Sequence, residues 1–369
     1  MKIAQISPLW ESVPPRLYGG TERIVSYITE ELVRQGHDVT LFASADSTTS
    51  ARLDPPCPHA LRLFDGPVNR DAPFMMMMEH ALGKAAAQFD IIHSHLDFLS
   101  FPLSRRCPTP VITTLHGRLD LPEIIPVFNE FRELPVVSIS DAQRIPLPQA
   151  NWEATVHHGL PRNLYSFQPR PGSYLAFLGR ISPEKCPDQA IEVAKQTGMP
   201  LRIAAKVDPV DRAYFETKIE RLLEHPLVEY VGEISDAEKS DFLGDAAALV
   251  CPYDWPEPFG LVLIEALACG TPVLAYRRGS IPEILDHGVT GFICDNLNDM
   301  VAAVPHLPLI SRQKCREVFE ARFTVEQMVK NYLAVYERLA CAKLPHVYAR
   351  MPNHVRSLTA RELTHSDAA

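Results

Sequence analysis

The sequence of 369 residues lacks the features that mark membrane-spanning, nucleic-acid-binding and disulfide-stapled proteins. Its apolar runs fall well short of the ~18 residues that a transmembrane helix requires, so we expect no membrane span. Acidic residues outnumber basic ones, 45 Asp and Glu against 36 Lys and Arg, and the net charge of −9 disfavours a nucleic-acid partner. None of the eight cysteines forms a CxxC pair, which disfavours a zinc site and indicates reduced thiols. We therefore expect a cytoplasmic protein.

Two ligand-binding motifs are missing as well. Neither glycine-rich loop of the chain has the G-x-G-x-x-G spacing of a dinucleotide-binding site, which disfavours an oxidoreductase. No Asp-x-Asp pair lies where it would hold a metal ion against a diphosphate. We expect a protein that needs neither a metal ion nor another cofactor.

A strand, a glycine loop and a helix follow one another near the start of the chain and again in its middle. This repeated pattern predicts an α/β fold with two similar doubly wound domains, each large enough for its own core. We place the first domain at residues 1–165 and the second at 172–310, after a proline-rich linker. An amphipathic helix is expected at about 325–342, and a peripheral tail at 343–369.

The stretch from Glu257 to Glu265 carries two carboxylates eight residues apart, separated by Pro-Phe-Gly and an apolar run. We expect Glu257 on a loop and Glu265 on a helix that begins near Gly260. The first backbone N–H groups of such a helix are unpaired and carry positive dipole, so this end suits a phosphate. A carboxylate on each side of an anion site suits a sugar nucleotide, whose hydroxyls flank a diphosphate. An ordinary acidic surface helix explains these residues equally well at this point.

Glycines and basic residues at other strand ends indicate the same kind of ligand. Gly19 and Gly20 precede a helix and allow close approach of a phosphate, although a tight turn also explains them. Arg180 and Lys185 lie on a loop and at the helix start that follows a strand, where a guanidinium and an ammonium can neutralise a diphosphate. Solvated surface charge is the alternative interpretation of these two. Lys206 ends another strand and is a further candidate for contact with a phosphate or a sugar.

Together these motifs resemble the retaining glycosyltransferases of family 4, whose GT-B fold has two doubly wound Rossmann-like domains facing a central cleft. The resemblance covers nearly the whole chain and is most specific in the Glu-Pro-Phe-Gly-x4-Glu motif. It implies that the helix at about 325–342 crosses back to the first domain. It also implies that Glu257 contacts hydroxyls of the donor sugar and that Glu265 holds the ribose. Arg180 and Lys185 then hold the donor phosphates and stabilise the leaving diphosphate, and His116, at a strand tip, touches the donor sugar near the reacting centre. All of these except Glu265 are the expected catalytic residues.

The resemblance also implies contacts from the Gly-Gly loop, from the loop near the nucleobase and from the helix start after Glu257. The full set of expected donor contacts is Gly19, Gly20, Arg180, Lys185, Lys206, Gly232, Glu233, Glu257, Phe259, Gly260, Leu261 and Glu265. His95, Asp97 and Ser140 follow strands of the first domain, and ligands of such sheets bind at strand ends, so these three are candidates for contact with the acceptor. Helix capping is the alternative for Ser140. His158 stands where the family has Asn in a His-Asn-Gly segment, which leaves the role of that position open.

We expect a retaining hexosyltransferase that holds its donor mainly on the second domain and receives its acceptor from the first. UDP-glucose is the favoured donor and GDP-mannose the next, and the acceptor is a small molecule or a glycan. Three segments also look like the bacterial UDP-glucose:tetrahydrobiopterin glucosyltransferases, which would make the acceptor a pterin. Peripheral membrane contact has no support, because the sequence shows no basic amphipathic helix. The alternatives are a GT-B sugar-nucleotide 2-epimerase and a non-catalytic protein that binds a sugar nucleotide.

Overall fold

The computed structural model describes residues 1–16, 19–63, 72–84 and 86–342, and in this part the chain forms two parallel sheets. The first sheet contains β1 (Lys2–Ile6), β2 (Asp38–Phe42), β3 (Arg52–Leu53), β4 (Ile91–Ser94), β5 (Val111–Thr114), β6 (Pro135–Ser138) and β7 (Asn151–Thr155). The second contains β8 (Tyr174–Arg180), β9 (Leu201–Lys206), β10 (Val228–Gly232), β11 (Ala246–Cys251), β12 (Val273–Tyr276) and β13 (Gly291–Cys294). The tail predicted at 343–369 lies outside the described residues.

Both sheets have the strand order of doubly wound domains. The order is β3-β2-β1-β4-β5-β6-β7 in the first sheet and β10-β9-β8-β11-β12-β13 in the second. In each sheet the chain first builds towards one edge and then continues on the other side of its first strand. The order therefore reverses between β1 and β4 and between β8 and β11, and ligands bind beside the carboxyl ends of strands at such points. The predicted α/β fold of two doubly wound domains is confirmed, whereas the exact boundaries of the domains stay a prediction.

Helices cover both sheets and alternate with the strands. They are α1 (Gly20–Arg34), α2 (Ala72–Met78), α3 (Phe101–Ser104), α4 (Ile125–Glu130), α5 (Pro187–Thr197), α6 (Arg212–Tyr214), α7 (Asp236–Gly244), α8 (Leu261–Cys269), α9 (Ile281–Ile284), α10 (Leu297–Ala303), α11 (Arg312–Arg322) and α12 (Val325–Ala342). Central strands such as β8 read as continuous apolar runs because helices bury both of their faces. Within the described ranges, no helix combines the length and the apolar character needed to cross a membrane.

The last helix, α12, packs on the first sheet although it follows the second sheet in the chain. Its buried side chains Met328, Tyr332 and Tyr336 share one apolar core with Ile24 and Ile28 of α1. The amphipathic stripe of α12 thus covers the first sheet beside α1. Through this contact, residues near the end of the described chain reach the interior of the first domain.

Arg312, at the start of α11, ties this helix to the second sheet through main-chain oxygens. Its guanidinium donates to the carbonyl oxygens of Gln168 (2.7 Å), Gly244 (2.6 Å) and Ala246 (2.8 Å), and to Oγ1 of Thr271 (2.8 Å). Burial lowers the pKa of the Arg312 guanidinium from its ordinary value. The side chain therefore satisfies buried acceptors where the linker and the sheet meet.

We expect Arg312→Met to lower the free energy of unfolding by about 2 kcal/mol, because it leaves buried carbonyl oxygens without a donor. Urea unfolding followed by circular dichroism measures the change. Lys314→Met on the same helix is the control, because the Lys314 side chain is 54% exposed and bonds only to a neighbouring glutamate among the described residues. Equal stability of the two variants would show that Arg312 does not hold these segments together.

Candidate active site

A cleft of about 310 Å³ lies between the two sheets, beside the carboxyl ends of their strands. This volume lies at the lower end of the ~300–1,000 Å³ that small-molecule sites span. Most of the residues expected to contact a donor line it. They are Gly19, Gly20, His116, Arg180, Lys185, Lys206, Glu233, Glu257, Phe259, Gly260, Leu261 and Glu265. Gly232, at the end of β10, adjoins this lining without being part of it.

Two helices from opposite halves of the molecule begin at the cleft. α1 begins at Gly20 and α8 at Leu261, and a β-carbon added to Gly20 would lie 3.7 Å from Cδ1 of Leu261. Gly260 precedes α8 with φ +81°, a left-handed conformation that favours glycine. Because the first N–H groups of a helix lack partners within it, both helix ends bring positive potential to the cleft.

Glu257 and Lys185 form a close ion pair in the cleft. Glu257 lies on the loop before α8, as predicted, and is buried. The ammonium of Lys185 also lies 3.9 Å from the centre of the Tyr253 ring and 5.2 Å from that of Trp255. Ring faces attract a cation, so the two aromatic side chains and the carboxylate hold the ammonium in one place.

Glu265 lies on α8 and is 2% exposed. Its Oε1 accepts hydrogen bonds from Nζ of Lys239 at 3.0 Å and from the hydroxyl of Tyr165 at 3.2 Å. The second carboxylate oxygen, Oε2, is buried and has no hydrogen-bond partner among the described residues. A buried acceptor without a donor is costly, so this oxygen is suited to a hydroxyl supplied by a ligand.

Arg180 and Lys206 line the cleft together with a group of acids. The Arg180 guanidinium lies 2.7 Å from Oε1 of Glu184 and 3.3 Å from Oδ2 of Asp211, and Nζ of Lys206 lies 3.0 Å from Oδ1 of Asp208. Burial pushes the pKa of the Asp208 carboxyl up, but Lys206 and Arg180 outweigh it and hold this pKa below its usual value. The Asp208 carboxylate therefore stays ionised beside both cations at the cleft wall.

His116, at the end of β5, is held from behind by two side chains. Its Nε2 lies 2.8 Å from Nδ1 of His95, and its backbone N–H donates to Oδ1 of Asp97 at 3.1 Å. The ring of His158 stacks on the His116 ring with centroids 5.3 Å apart, and the rings of His158 and Phe259 meet edge-on with centroids 4.9 Å apart. Burial lowers the pKa of the His116 imidazole to about 3, so the ring is neutral around pH 7.

The three residues predicted to contact an acceptor do not line the cleft. His95 and Ser140 are buried behind its wall, and Oγ of Ser140 accepts from the backbone N–H of Gln143 at 3.1 Å. This bond to a backbone N–H three residues later is the contact that a capping role of Ser140 predicts. Burial raises the pKa of the Asp97 carboxyl to about 6, although the hydrogen bond from the amide of His116 opposes this. His95 and Asp97 therefore lie behind His116 and contact it directly. Contact of the three residues with an acceptor stays a prediction.

Sequence reasoning missed several side chains of the cleft, of which Lys239 and Arg23 carry charge. Arg23 of α1 forms an ion pair with Asp236 at the start of α7, which joins the two halves of the molecule beside the cleft. Ser235 and Glu238 form a capping box at the start of α7. This sequence signal could have placed a helix start here and Lys239 in its first turn.

Two family models, curated relatives and solved structures match this chain. A family model described as Glycosyltransferase Family 4 matches residues 18–178, and one described as Glycosyl transferases group 1 matches residues 167–319. The chain is 26% identical to the D-inositol 3-phosphate glycosyltransferase of Mycolicibacterium smegmatis, over 87% of this chain and 86% of that protein. It is similar in structure to the sucrose-phosphate synthase of Thermosynechococcus elongatus, with a TM-score of 0.75, 19% identity, and 92% and 99% of the two chains covered. It is also similar to Anabaena HepE in complex with UDP-glucose, with a TM-score of 0.70, 18% identity, and 92% and 100% covered.

Proposed function

The chain belongs to glycosyltransferase family 4 and has the GT-B fold, and we propose that it transfers glucose from UDP-glucose to a small-molecule or glycan acceptor with retention of configuration. GDP-mannose is the second donor candidate. A structure of the same fold, that of HepE, holds UDP-glucose, which supports the choice of donor.

The observation that carries this proposal is the meeting of opposite charges in one cleft. Two buried carboxylates, Glu257 and Glu265, lie there with Arg180 and Lys185 and with the first turns of α1 and α8. A nucleotide sugar has the complementary order of groups, because its diphosphate lies between the hydroxyls of the sugar and those of the ribose. Cations and helix N-termini suit the diphosphate, and carboxylates suit the hydroxyl groups on either side.

In this proposal the two ends of the donor meet different acids. The ribose hydroxyls donate to Glu265, whose Oε2 has no other donor among the described residues. Lys185 exchanges its bond with Glu257 for one with the phosphate, and Glu257 then accepts from hydroxyls of the sugar. His116 touches the sugar from the first domain, close to the bond that breaks.

The reaction needs charge stabilisation more than proton transfer by the protein. The bond between the anomeric carbon and the phosphate oxygen breaks, and an acceptor hydroxyl attacks from the same face of the sugar. Because attack and departure take place on the same face, the configuration is retained. The proton of the acceptor hydroxyl passes to the leaving phosphate oxygen. Arg180, Lys185 and the start of α8 stabilise the negative charge that builds on the diphosphate. Because these groups supply positive charge themselves, we propose that the reaction needs no metal ion.

Release of the nucleoside diphosphate from UDP-, GDP- and ADP-sugars, with and without EDTA, tests this proposal. We expect the fastest release from UDP-glucose, no effect of EDTA, and loss of release in Arg180→Ala and Glu265→Ala. Arg277→Ala is the matched control, because Arg277 is exposed on the same domain, where it pairs with Asp295. If the protein neither binds nor turns over any sugar nucleotide, the proposal is wrong.

The acceptor requirement separates a transferase from the alternatives. Addition of candidate acceptors, including a reduced pterin, should accelerate the release of UDP, and NMR of the product should show the anomeric configuration of the donor. Release of UDP together with the C2 epimer of the sugar, without any acceptor, would indicate an epimerase. Tight binding without turnover under every condition would indicate a non-catalytic protein.

Gly279 tests whether the position of Glu257 matters for turnover. A β-carbon at Gly279 would lie 2.3 Å from the carbonyl oxygen of Glu257 and 2.5 Å from its nitrogen, so the loop must move. We expect Gly279→Ala to lower the rate of donor turnover about tenfold, because misplaced contact groups lose transition-state stabilisation. Gly288→Ala is the control, because Gly288 also has positive φ but a β-carbon there meets nothing within 4 Å. Equal rates for both variants would contradict the prediction.

A further inference from the structure

A row of buried polar side chains leads from the cleft into the interior of the first domain. Nδ1 of His95 lies 2.8 Å from Nε2 of His116, and Nε2 of His95 lies 2.9 Å from Oε1 of Gln5. Nε2 of Gln5 donates in turn to the hydroxyl of Tyr336 at 3.2 Å. Gln5 lies on β1, His95 follows β4 and Tyr336 lies on α12, so three separate elements build this row.

The row continues beyond Tyr336 to a second tyrosine of α12. The Tyr336 hydroxyl lies 2.6 Å from Nδ1 of His93, and Nε2 of His93 lies 2.7 Å from Oγ1 of Thr114. Oγ1 of Thr114 lies 3.1 Å from the hydroxyl of Tyr332. All four side chains are fully buried. These polar groups therefore satisfy one another inside an apolar core, which leaves few alternative arrangements.

The amide of Gln5 fixes which atom carries the hydrogen in each hydrogen bond between Gln5 and His116. An amide oxygen only accepts and an amide nitrogen only donates, so the hydrogen between Gln5 and His95 must lie on Nε2 of His95. Burial keeps the pKa of the His95 imidazole well below its ordinary value, so the ring carries one hydrogen. Its Nδ1 is then an acceptor, and the hydrogen between the two histidines must lie on Nε2 of His116.

We propose that Gln5, His95 and Tyr336 are positioning residues that hold His116 in its Nε2–H tautomer, so that it meets the donor sugar as a hydrogen-bond acceptor through Nδ1. This inference rests on the proposed function, in which His116 touches the donor sugar. In this proposal β1, the loop after β4 and α12 all take part in the chemistry of the cleft. Nδ1 of His116 has no hydrogen bond within the described part of the chain.

The tautomer decides how His116 acts on the sugar. A hydroxyl that donates to Nδ1 gains electron density on its oxygen, and this stabilises the positive charge that builds on the sugar ring as the diphosphate leaves. The opposite tautomer would present an N–H group and withdraw density from the same oxygen. The interaction therefore favours the transition state over the bound donor, and its loss lowers kcat more than it raises KM.

Nitrogen NMR of histidine-labelled protein reads the tautomer without any need for turnover. We expect the hydrogen on Nε2 of His116 in the wild type and a mixture of tautomers in Gln5→Met, which keeps the length of the side chain but removes the amide. Tyr336→Phe frees the Gln5 amide to turn and should also give a mixture. Tyr332→Phe is the matched control. Tyr332 lies four residues before Tyr336 and is as deeply buried, but its hydroxyl contacts Thr114 and neither Gln5 nor His95. A hydrogen on Nδ1 in the wild type, or one unchanged tautomer in Gln5→Met and Tyr336→Phe, would overturn the proposal.

Kinetics of a double-mutant cycle show whether Gln5 acts through His116. We expect Gln5→Met to lower kcat about tenfold with little change in the KM of the donor, the effect of one lost hydrogen bond. In a His116→Phe background the same change should have no further effect, whereas a merely structural role would lower kcat again. If His116→Phe keeps the wild-type kcat, His116 does not act on the sugar and the tautomer proposal fails. The proposed function is tested separately, by the loss of nucleotide release in Arg180→Ala. Thermal unfolding of each variant checks that it is folded.

Discussion

Replacing Lys185 with methionine should lower the rate of donor turnover about 10²–10³-fold, the loss found when one preorganised group that stabilises charge is removed. The rings of Tyr253 and Trp255 keep the Lys185 ammonium in place when its bond with Glu257 is exchanged for one with the phosphate, and its side chain is only 15% exposed. It therefore needs no reorganisation when charge builds on the leaving diphosphate. Because that charge is largest in the transition state, kcat should fall more than KM rises.

The ion pair with Glu257 lets a stability measurement separate catalysis from folding. Lys185→Met leaves a buried carboxylate without its cation and should lower the free energy of unfolding by about 3 kcal/mol. The double variant Lys185→Met/Glu257→Gln removes the unpaired charge and should recover stability but not turnover. Lys195→Met is the control, because Lys195 is exposed on α5 of the same domain and pairs only with Glu192 among the described residues. Wild-type kcat in Lys185→Met would contradict the assignment of this lysine to the diphosphate.

The parts of the site that sequence reasoning found are those that lie close together in the chain. Glu257, Gly260 and Glu265 belong to one loop and one helix, so local signals place them and the helix start together. Arg180 likewise ends β8, and Lys185 lies on the turn that follows this strand directly. Strand, glycine loop and helix are also local patterns, which is why the sequence predicts the two doubly wound domains.

Contacts between distant segments were not predictable in the same way. Lys239 meets Glu265 only because α7 packs beside α8, and Gln5 meets His95 only because β1 pairs with β4. Two strands of the first sheet also escaped prediction. β3 has only two residues, and β7, at one edge, has a half-exposed polar pattern because an edge strand is not buried on both faces.

His95 shows that the rule on strand ends does not by itself give the contacts of a side chain. Ligands of doubly wound sheets do bind at strand ends, and this made His95 a candidate for contact with the acceptor. His93 and His95 are two residues apart, however, so their side chains point to the same side of the strand. That side is covered by α12, whose Tyr336 bonds to both His93 and Gln5. The spacing of the histidines shows that both lie on one side of the strand, but only the packing of α12 shows that this side is buried.

Glu265→Ala should weaken the binding of UDP about 100-fold and leave the binding of 2′,3′-dideoxy-UDP nearly unchanged. Hydrogen bonds to a charged group contribute about 1.5–3 kcal/mol each, and the ribose hydroxyls are the donors that Oε2 of Glu265 lacks among the described residues. Without these hydroxyls the nucleotide cannot make the bonds, so removing the carboxylate costs it little. Isothermal titration calorimetry of both nucleotides measures the difference.

The comparison of the two nucleotides decides between a direct and an indirect role of Glu265. Its Oε1 also holds Lys239 and Tyr165, so Glu265→Ala could disturb the cleft without any bond to the ribose. A disturbance of that kind would weaken both nucleotides equally, and this result would contradict the assignment. Tyr165→Phe removes one of these two supports and keeps the carboxylate, so it should preserve the preference for UDP over the dideoxy form. Glu192→Ala, on the surface of the same domain, should leave the affinity for both nucleotides as in the wild type. Only a carboxylate that bonds to the ribose itself gives a loss confined to the nucleotide that carries the hydroxyls.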